Sequence, residues 1–149
     1  MQTFQRILVP VDFSACSDNA VRVASELSAA FSAPLRLIHV YDPVAYPLPD
    51  GYVMYTPRQL SKLWAELDQR LESSQRDAMR HGAVAAEARL LQGLTAEEIV
   101  RVAREDDFDL IVLGSHGRRG LQRFLLGSVA ARVLQTAPCN VLTVKLPTA

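Results

Sequence analysis

The sequence predicts an α/β fold: one domain, residues 1–149, with an open, parallel, five-stranded sheet and helices on both faces. Short apolar runs of strand length alternate with amphipathic segments of helix length, in the order βαβαβαβαβ. The chain has 149 residues, 49% of them hydrophobic, which suits one domain with a sizeable core. Strands joined by helices require right-handed crossovers, so the sheet is parallel and covered on both sides.

The first third of the chain predicts two strands and a helix. Residues 6–12 form an apolar run typical of a central strand, with Pro10 near its end, where a missing ladder donor is tolerated. Ser14 is a good N-cap for the helix that follows. Residues 35–41 form the second strand, in which we interpret His39 as a packed or capping residue rather than a catalytic one.

The middle of the chain predicts a long loop, a long helix and an edge strand. Residues 42–57 contain four prolines and three tyrosines, and nothing in this loop indicates a particular chemistry. The second helix is predicted at 58–81, with Gly82 as its stop. Apolar and polar residues alternate at 84–90, which indicates a strand with one wet face and hence a place at the edge of the sheet.

The last third predicts two further strand and helix pairs. Thr95 and Glu98 have the spacing of a capping box at the start of a third helix. Residues 110–113 form a buried strand, and a fourth helix ends at Pro138. Residues 140–144 form the last strand.

The stretch 109–129 contains the candidate site. Glycines follow the buried strand at 114, 117 and 120, and Gly127-Ser128 begins a helix. Glycine permits positive φ and lets a ligand approach without meeting a Cβ. A helix N-terminus favours an anion. These features predict a phosphate-binding site, although two turns flanking a strand would give a similar glycine content. The absence of Gly-Lys-Ser or Gly-Lys-Thr excludes a Walker A loop.

Composition and charge narrow the function classes. Lys+Arg and Asp+Glu each number 16, so the net charge is zero, which argues against nucleic acid or an anionic membrane as a partner. No run approaches the ~18 apolar residues of a membrane span, and the N-terminus lacks a signal-peptide core. Cys16 and Cys139 are isolated, so we expect two free thiols in a cytoplasmic protein without a cysteine metal site.

The glycine spacing resembles the motif of a known family. Gly114-x-x-Gly117, nine residues and Gly127-Ser128 are similar to the motif of the ATP-binding branch of the universal stress protein family, and the resemblance extends over residues 6–144. It implies a Rossmann-like sheet with strand order 3-2-1-4-5. In that order the topological switch lies between the first and fourth strands, where ligands of open α/β sheets bind.

The resemblance implies ATP, with Mg or Mn as its metal, as the ligand. The binding residues that it implies are Pro10, Val11, Asp12, Val40, Gly114, His116, Gly117, Arg118, Gly127, Ser128 and Val129. Asp12 would accept from the ribose. Its position after a central strand fits this role and that of a plain turn residue equally, and the resemblance favours the ribose role. The backbone around Val40 would read adenine, and Ser128 would contact the phosphates. Arg118 or its neighbour would reach the phosphates, and we interpret His116 as more structural than basic.

Two classes of function stay open. The first is a regulatory protein whose nucleotide-bound state is read by a downstream protein partner. The second is a slow ATP hydrolase or nucleotidyl transferase that uses the same pocket. A third, a dimerisation protein that binds no nucleotide, is disfavoured by the intact glycine motif. The resemblance also implies a homodimer joined through the apolar last strand, Val141 to Val144.

Overall fold

The computed structural model describes residues 3–43, 55–117 and 126–146. Within these ranges, strands and helices alternate in the predicted order. The strands are β1 (Ile7–Pro10), β2 (Leu35–Tyr41), β3 (Ala86–Gln92), β4 (Leu110–Gly114) and β5 (Asn140–Val144). The helices are α1 (Ala15–Phe31), α2 (Pro57–Arg80), α3 (Thr95–Glu105) and α4 (Ser128–Thr136).

The sheet has the predicted topology. All neighbouring strands pair in parallel, in the order β3-β2-β1-β4-β5, which confirms the α/β class and the implied strand order. One hydrophobic cluster packs α1 and α2 on one face of the sheet, and a second packs α3 and α4 on the other. All seven residues of β2 are buried, whereas β3 alternates between half-buried and exposed residues along most of its length, as expected of an edge strand.

The ends of α1 and α2 are set by local chemistry. Ser14 caps α1 as predicted, with its side chain accepting a hydrogen bond from the Ser17 N–H at 3.2 Å. The start of α2 carries a capping box that the sequence interpretation missed, in which Thr56 and Gln59 exchange side-chain-to-backbone hydrogen bonds. Gly82 follows the end of α2 at φ +102°, a left-handed conformation that explains the predicted stop.

The capping box predicted at Thr95 is wrong. Thr95 is already the first helical residue of α3, Leu94 is the N-cap, and no side chain caps this helix. The Glu98 carboxylate instead bonds the Arg101 guanidinium at 2.6 Å. Glu98 also lies against Gly93, where an added Cβ would come within 2.8 Å of its Cγ. The Glu98 side chain therefore contacts Arg101 and Gly93, whereas a capping box requires it to accept from the backbone N–H of the N-cap residue.

A buried arginine on β2 joins this strand to two other elements, away from the carboxyl edge of the sheet. Arg36, 7% exposed, donates to Glu87 at 2.9 Å and to the Asp106 carboxylate. Its guanidinium lies 5.0 Å from the centroid of the Phe108 ring. The hydrogen bond from Arg36 lowers the pKa of Asp106 below its ordinary value. This cluster ties β2, β3 and the end of α3 together and is structural.

Two further expectations concern thiols and membrane spans. Cys16 and Cys139 are both free, the first buried and the second half-buried. Within the described ranges, no helix is both long and apolar enough to cross a membrane.

Candidate functional site

A cleft of about 530 Å³ lies at the carboxyl edge of the sheet, at the switch point between β1 and β4. All but one of the predicted binding residues line it: Pro10, Val11, Asp12, Val40, Gly114, His116, Gly117, Gly127, Ser128 and Val129. The exception, Arg118, lies outside the described residues, as does most of the predicted loop at 42–57. Residues that are distant in sequence are therefore brought together at the edge that the topology predicts.

Pro10 helps to open this cleft. Strand β1 pairs with β2 through four residues but with β4 only through Ile7 and Leu8. Ile7 and Val11 donate their backbone N–H groups toward β2. Because N–H groups alternate in direction along a strand, the backbone nitrogen of Pro10 faces β4. Proline has no N–H to donate there. The ladder between β1 and β4 ends, and the two strands leave room for a ligand.

The turn after β1 presents Asp12 to the cleft. The Ser14 hydroxyl and N–H donate to Asp12 Oδ1 at 2.5 and 3.0 Å, and the Asp12 N–H donates to Ser17 Oγ at 3.1 Å. These bonds make a closed local network at the start of α1. The carboxylate is therefore a held acceptor beside the cleft, which suits a hydroxyl ligand.

The acidic side chains around this turn affect one another. Burial raises the pKa of Asp18, in the first turn of α1, above its ordinary value. The negative charges of Asp77 and Asp12 raise it further, and the Arg70 guanidinium opposes them. The positive charge of Arg70 therefore partly compensates the negative charge of these carboxylates between α1 and α2.

The glycines of the motif are required by packing rather than by positive φ. A Cβ on Gly114 would come within 3.1 Å of the carbonyl carbon and Sγ of Cys16, so glycine lets the end of β4 approach the start of α1. A Cβ on Gly117 would lie 2.7 Å from Asp12 Oδ2. Among the described glycines, only Gly82 and Gly93 have left-handed φ. The motif positions 114, 117 and 127 therefore use the small size of glycine and not its freedom to adopt positive φ, and the φ of Gly127 is −62°.

Gly127 joins the glycine loop to α4. Its N–H donates to the Ser115 carbonyl at 2.7 Å, and a Cβ there would lie 3.1 Å from that same oxygen and 3.4 Å from the Cα of His116. A larger residue would thus meet the loop backbone, not only ligand space. Gly127 is the N-cap and has no side chain, so no side chain caps the N-terminus of α4, and Ser128 and Val129 at this N-terminus line the cleft. A helix N-terminus without a side-chain cap favours an anion.

His116 is held by its neighbour. Its Nδ1 lies 3.1 Å from the Ser115 hydroxyl, and Ser115 is 3% exposed. Among the described residues, His116 Nε2 is the one buried side-chain nitrogen or oxygen without a hydrogen-bond partner. The contact to Ser115 agrees with a structural role, which leaves His116 as a wall of the cleft rather than an assigned base.

The cleft has one wall that the sequence interpretation missed. The start of α3 lines it through Leu94, Thr95 and Glu97, and Asp42 lines it after β2. Nothing in the local pattern of α3 distinguishes it from any surface helix. Only the sheet order, which packs α3 and α4 on the same face, could have indicated this wall. Within the described ranges, no three His, Cys, Asp or Glu side chains are grouped to hold a metal ion.

Comparison with known proteins identifies the family that this chain resembles. A model of the universal stress protein family matches residues 3–145. Universal stress protein MJ0531 of Methanocaldococcus jannaschii is 34% identical over 147 residues, which cover 97% of this chain and 84% of the relative.

Two solved structures of similar proteins contain adenine nucleotides. A universal stress protein in complex with cAMP is 27% identical, with a TM-score of 0.74, and the match covers 98% of this chain and 100% of the other. The universal stress protein of Archaeoglobus fulgidus in complex with dAMP is 26% identical, with a TM-score of 0.69, and the match covers 97% and 100%.

Proposed function

The chain belongs to the universal stress protein family, and from that premise we propose that it is a regulatory protein that binds ATP in the cleft between β1 and β4. The observation that carries the proposal is the convergence of a held carboxylate and an uncapped helix N-terminus on one cleft. Similar proteins of known structure bind cAMP and dAMP, which supports an adenine nucleotide as the ligand class.

The cleft has the size and the polar groups for a nucleotide. Its volume of about 530 Å³ is within the range of small-molecule sites, roughly 300–1,000 Å³. The proposal places the ribose at Asp12, adenine at the β2 end near Val40, and the phosphates at Gly127, Ser128 and Val129. In this arrangement the Asp12 carboxylate accepts from the ribose hydroxyls, and the N–H groups at the start of α4 donate to the negatively charged phosphates.

Replacing Ser128 by alanine tests the phosphate end of this site. The loss of a hydrogen bond to a charged group is worth roughly 1.5–3 kcal/mol, which corresponds to a decrease in ATP affinity of about 10- to 150-fold. Because Ser128 is exposed, the substitution leaves the core intact. Calorimetric titration with ATP measures the effect. The control is Gln135→Ala, which removes an exposed polar side chain from the other end of the same helix.

Two results would count against the proposal. No ATP binding by the unmutated protein at millimolar concentration would refute it. Equal affinities of Ser128→Ala and Gln135→Ala would remove Ser128 from the site.

We expect ATP to be held rather than rapidly consumed. Binding the ground state and the transition state equally well does not accelerate the chemical step, and phosphoryl transfer needs a positioned nucleophile and groups that hold metal ions. The three carboxylates that line the cleft, Asp12, Asp42 and Glu97, belong to no group of metal-ligand size in the described chain. A magnesium or manganese ion carried by ATP needs only one or two protein carboxylates in addition to the phosphates.

The rate of phosphate release from ATP, with magnesium or manganese, tests the alternative of an enzyme. We expect a rate far below the enzyme median of ~10 per second. Turnover of about one per second, abolished by Asp12→Asn without loss of ATP binding, would make the protein an enzyme.

The regulatory proposal includes a protein partner that recognises the ATP-bound state. It also places the protein in the cytoplasm, where free thiols such as those of Cys16 and Cys139 stay reduced.

We also propose a homodimer through β5. Among the described residues, this strand pairs only with β4 at one edge of the sheet, and Leu142 is 38% exposed. A row of unpaired backbone groups beside an apolar side chain favours pairing with a second copy. Sedimentation at micromolar concentration should give a dimer mass, and Leu142→Lys should give a monomer. Val84→Lys, a similar change at a half-exposed valine before the opposite edge strand, should stay dimeric. A monomeric unmutated protein would refute the proposal.

A further inference from the structure

The residue after Asp12 has an unusual backbone conformation. Phe13 has φ +64°, in the left-handed region that bulky residues rarely adopt. Most chains would place glycine or asparagine at such a position. A phenylalanine there indicates that contacts of its side chain compensate for the backbone strain.

The Phe13 ring is held by two other elements. The His39 ring of β2 lies with its centroid 4.6 Å away and is tilted by 36°. The guanidinium of Arg70, on α2, lies 4.4 Å from the Phe13 centroid, within cation–π range. We call His39, Phe13 and Arg70 the ring stack. It connects the turn after β1 to both β2 and α2.

His39 holds the chain on both sides of Asp12. Its Nδ1 lies 2.7 Å from the Val11 carbonyl, and because a carbonyl can only accept, this nitrogen carries the proton. The same imidazole contacts the Phe13 ring. His39 is 3% exposed, so its own position is fixed by the core. The residues before and after Asp12 are therefore both anchored to one buried side chain.

We propose that Phe13 is a positioning residue for Asp12. Its ring, held by His39 and Arg70, fixes the turn in the conformation that presents the Asp12 carboxylate to a bound ribose. This inference rests on the proposed function, because it assumes that Asp12 accepts from ribose hydroxyls. It goes further because Phe13, which does not itself contact the ribose, sets the geometry of the hydrogen bond between Asp12 and the ribose.

The ribose contact gives a readout that a purely structural role would not change. Calorimetry compares ATP with 2′,3′-dideoxy-ATP, which lacks both hydroxyls. In the unmutated protein, a hydrogen bond to a carboxylate predicts a preference for ATP of roughly tenfold or more. A general loss of stability lowers both affinities together, whereas loss of Asp12 positioning removes the preference.

Phe13→Gly is the informative variant. Glycine relieves the strain at positive φ, so the backbone loses little stability, but the ring is gone. We expect the preference for ATP over the dideoxy nucleotide to fall toward unity, and Phe13→Ala to behave in the same way with lower thermal stability. A Phe13→Gly protein that keeps the full preference would overturn the inference and leave the proposed function standing.

Arg70→Ala tests the stack from the surface, where folding is not at risk because this side chain is exposed. Arg76→Ala removes the same charge from the exposed face of α2 and is the matched control. We expect the preference to fall in Arg70→Ala and to stay in Arg76→Ala. Equal preferences in the two variants would overturn the role of the stack. An unmutated protein that binds ATP without any preference would refute the Asp12 contact, and one that binds no ATP would refute the proposed function; each would take this inference with it.

Discussion

Replacing Gly117 by alanine is expected to weaken ATP binding by roughly tenfold or more while leaving the fold intact. The new methyl group would lie 2.7 Å from Asp12 Oδ2, closer than a Cβ and a non-bonded oxygen approach in proteins. Gly117 itself is exposed, so the cheapest relief is displacement of the Asp12 carboxylate. That displacement works against the bonds from Ser14 that hold Oδ1. A displaced Asp12 carboxylate no longer accepts well from the ribose hydroxyls, so the protein binds ATP more weakly.

A double-mutant cycle separates this route from others. In an Asp12→Ala background, no carboxylate remains to be displaced, so Gly117→Ala should have little further effect on the affinity for ATP. Calorimetry on the four proteins gives the coupling, and thermal unfolding checks the fold. Additive losses in affinity would show that Gly117 acts on the ligand directly and not through Asp12.

The order of elements was predictable because each depends on local pattern. Strand β1 is an apolar run and β3 alternates, and these two patterns identify a central and an edge strand. The position of Asp12 followed from the end of the first strand. The glycine motif could be located because its spacing is carried by the sequence itself. What these features share is that neighbours in the chain determine them.

The reasons behind the motif were less accessible. Gly114 is a glycine because the start of α1 lies against it, and Gly117 because of Asp12, which is distant in the sequence. The start of α3 was misplaced because a Thr-x-x-Glu pattern cannot show that Glu98 is engaged by Arg101. Contacts of this kind depend on how the elements pack and not on the local sequence.

Replacing Gly127 by valine is expected to abolish ATP binding detectable at millimolar concentration and to lower stability. The Cβ alone would lie 3.1 Å from the Ser115 carbonyl oxygen, and two further methyl groups deepen the conflict. Since Gly127 also donates to that oxygen at 2.7 Å, the start of α4 must move away from the loop that it joins. Overpacking of this kind costs about 1–3 kcal/mol of stability.

The stability loss must be separated from the loss of binding. Gly82→Val places a β-branched residue at φ +102°, at the end of α2, where its Cβ would meet Ala29 only at an ordinary 3.7 Å. We expect that variant to lose stability through backbone strain while keeping its affinity for ATP. Thermal unfolding and calorimetric titration of both variants decide the matter. If Gly127→Val still bound ATP as tightly as Gly82→Val, the N-terminus of α4 would not be the phosphate site, since the same displacement that destabilises the fold must carry the N–H groups of Ser128 and Val129 away from the ligand.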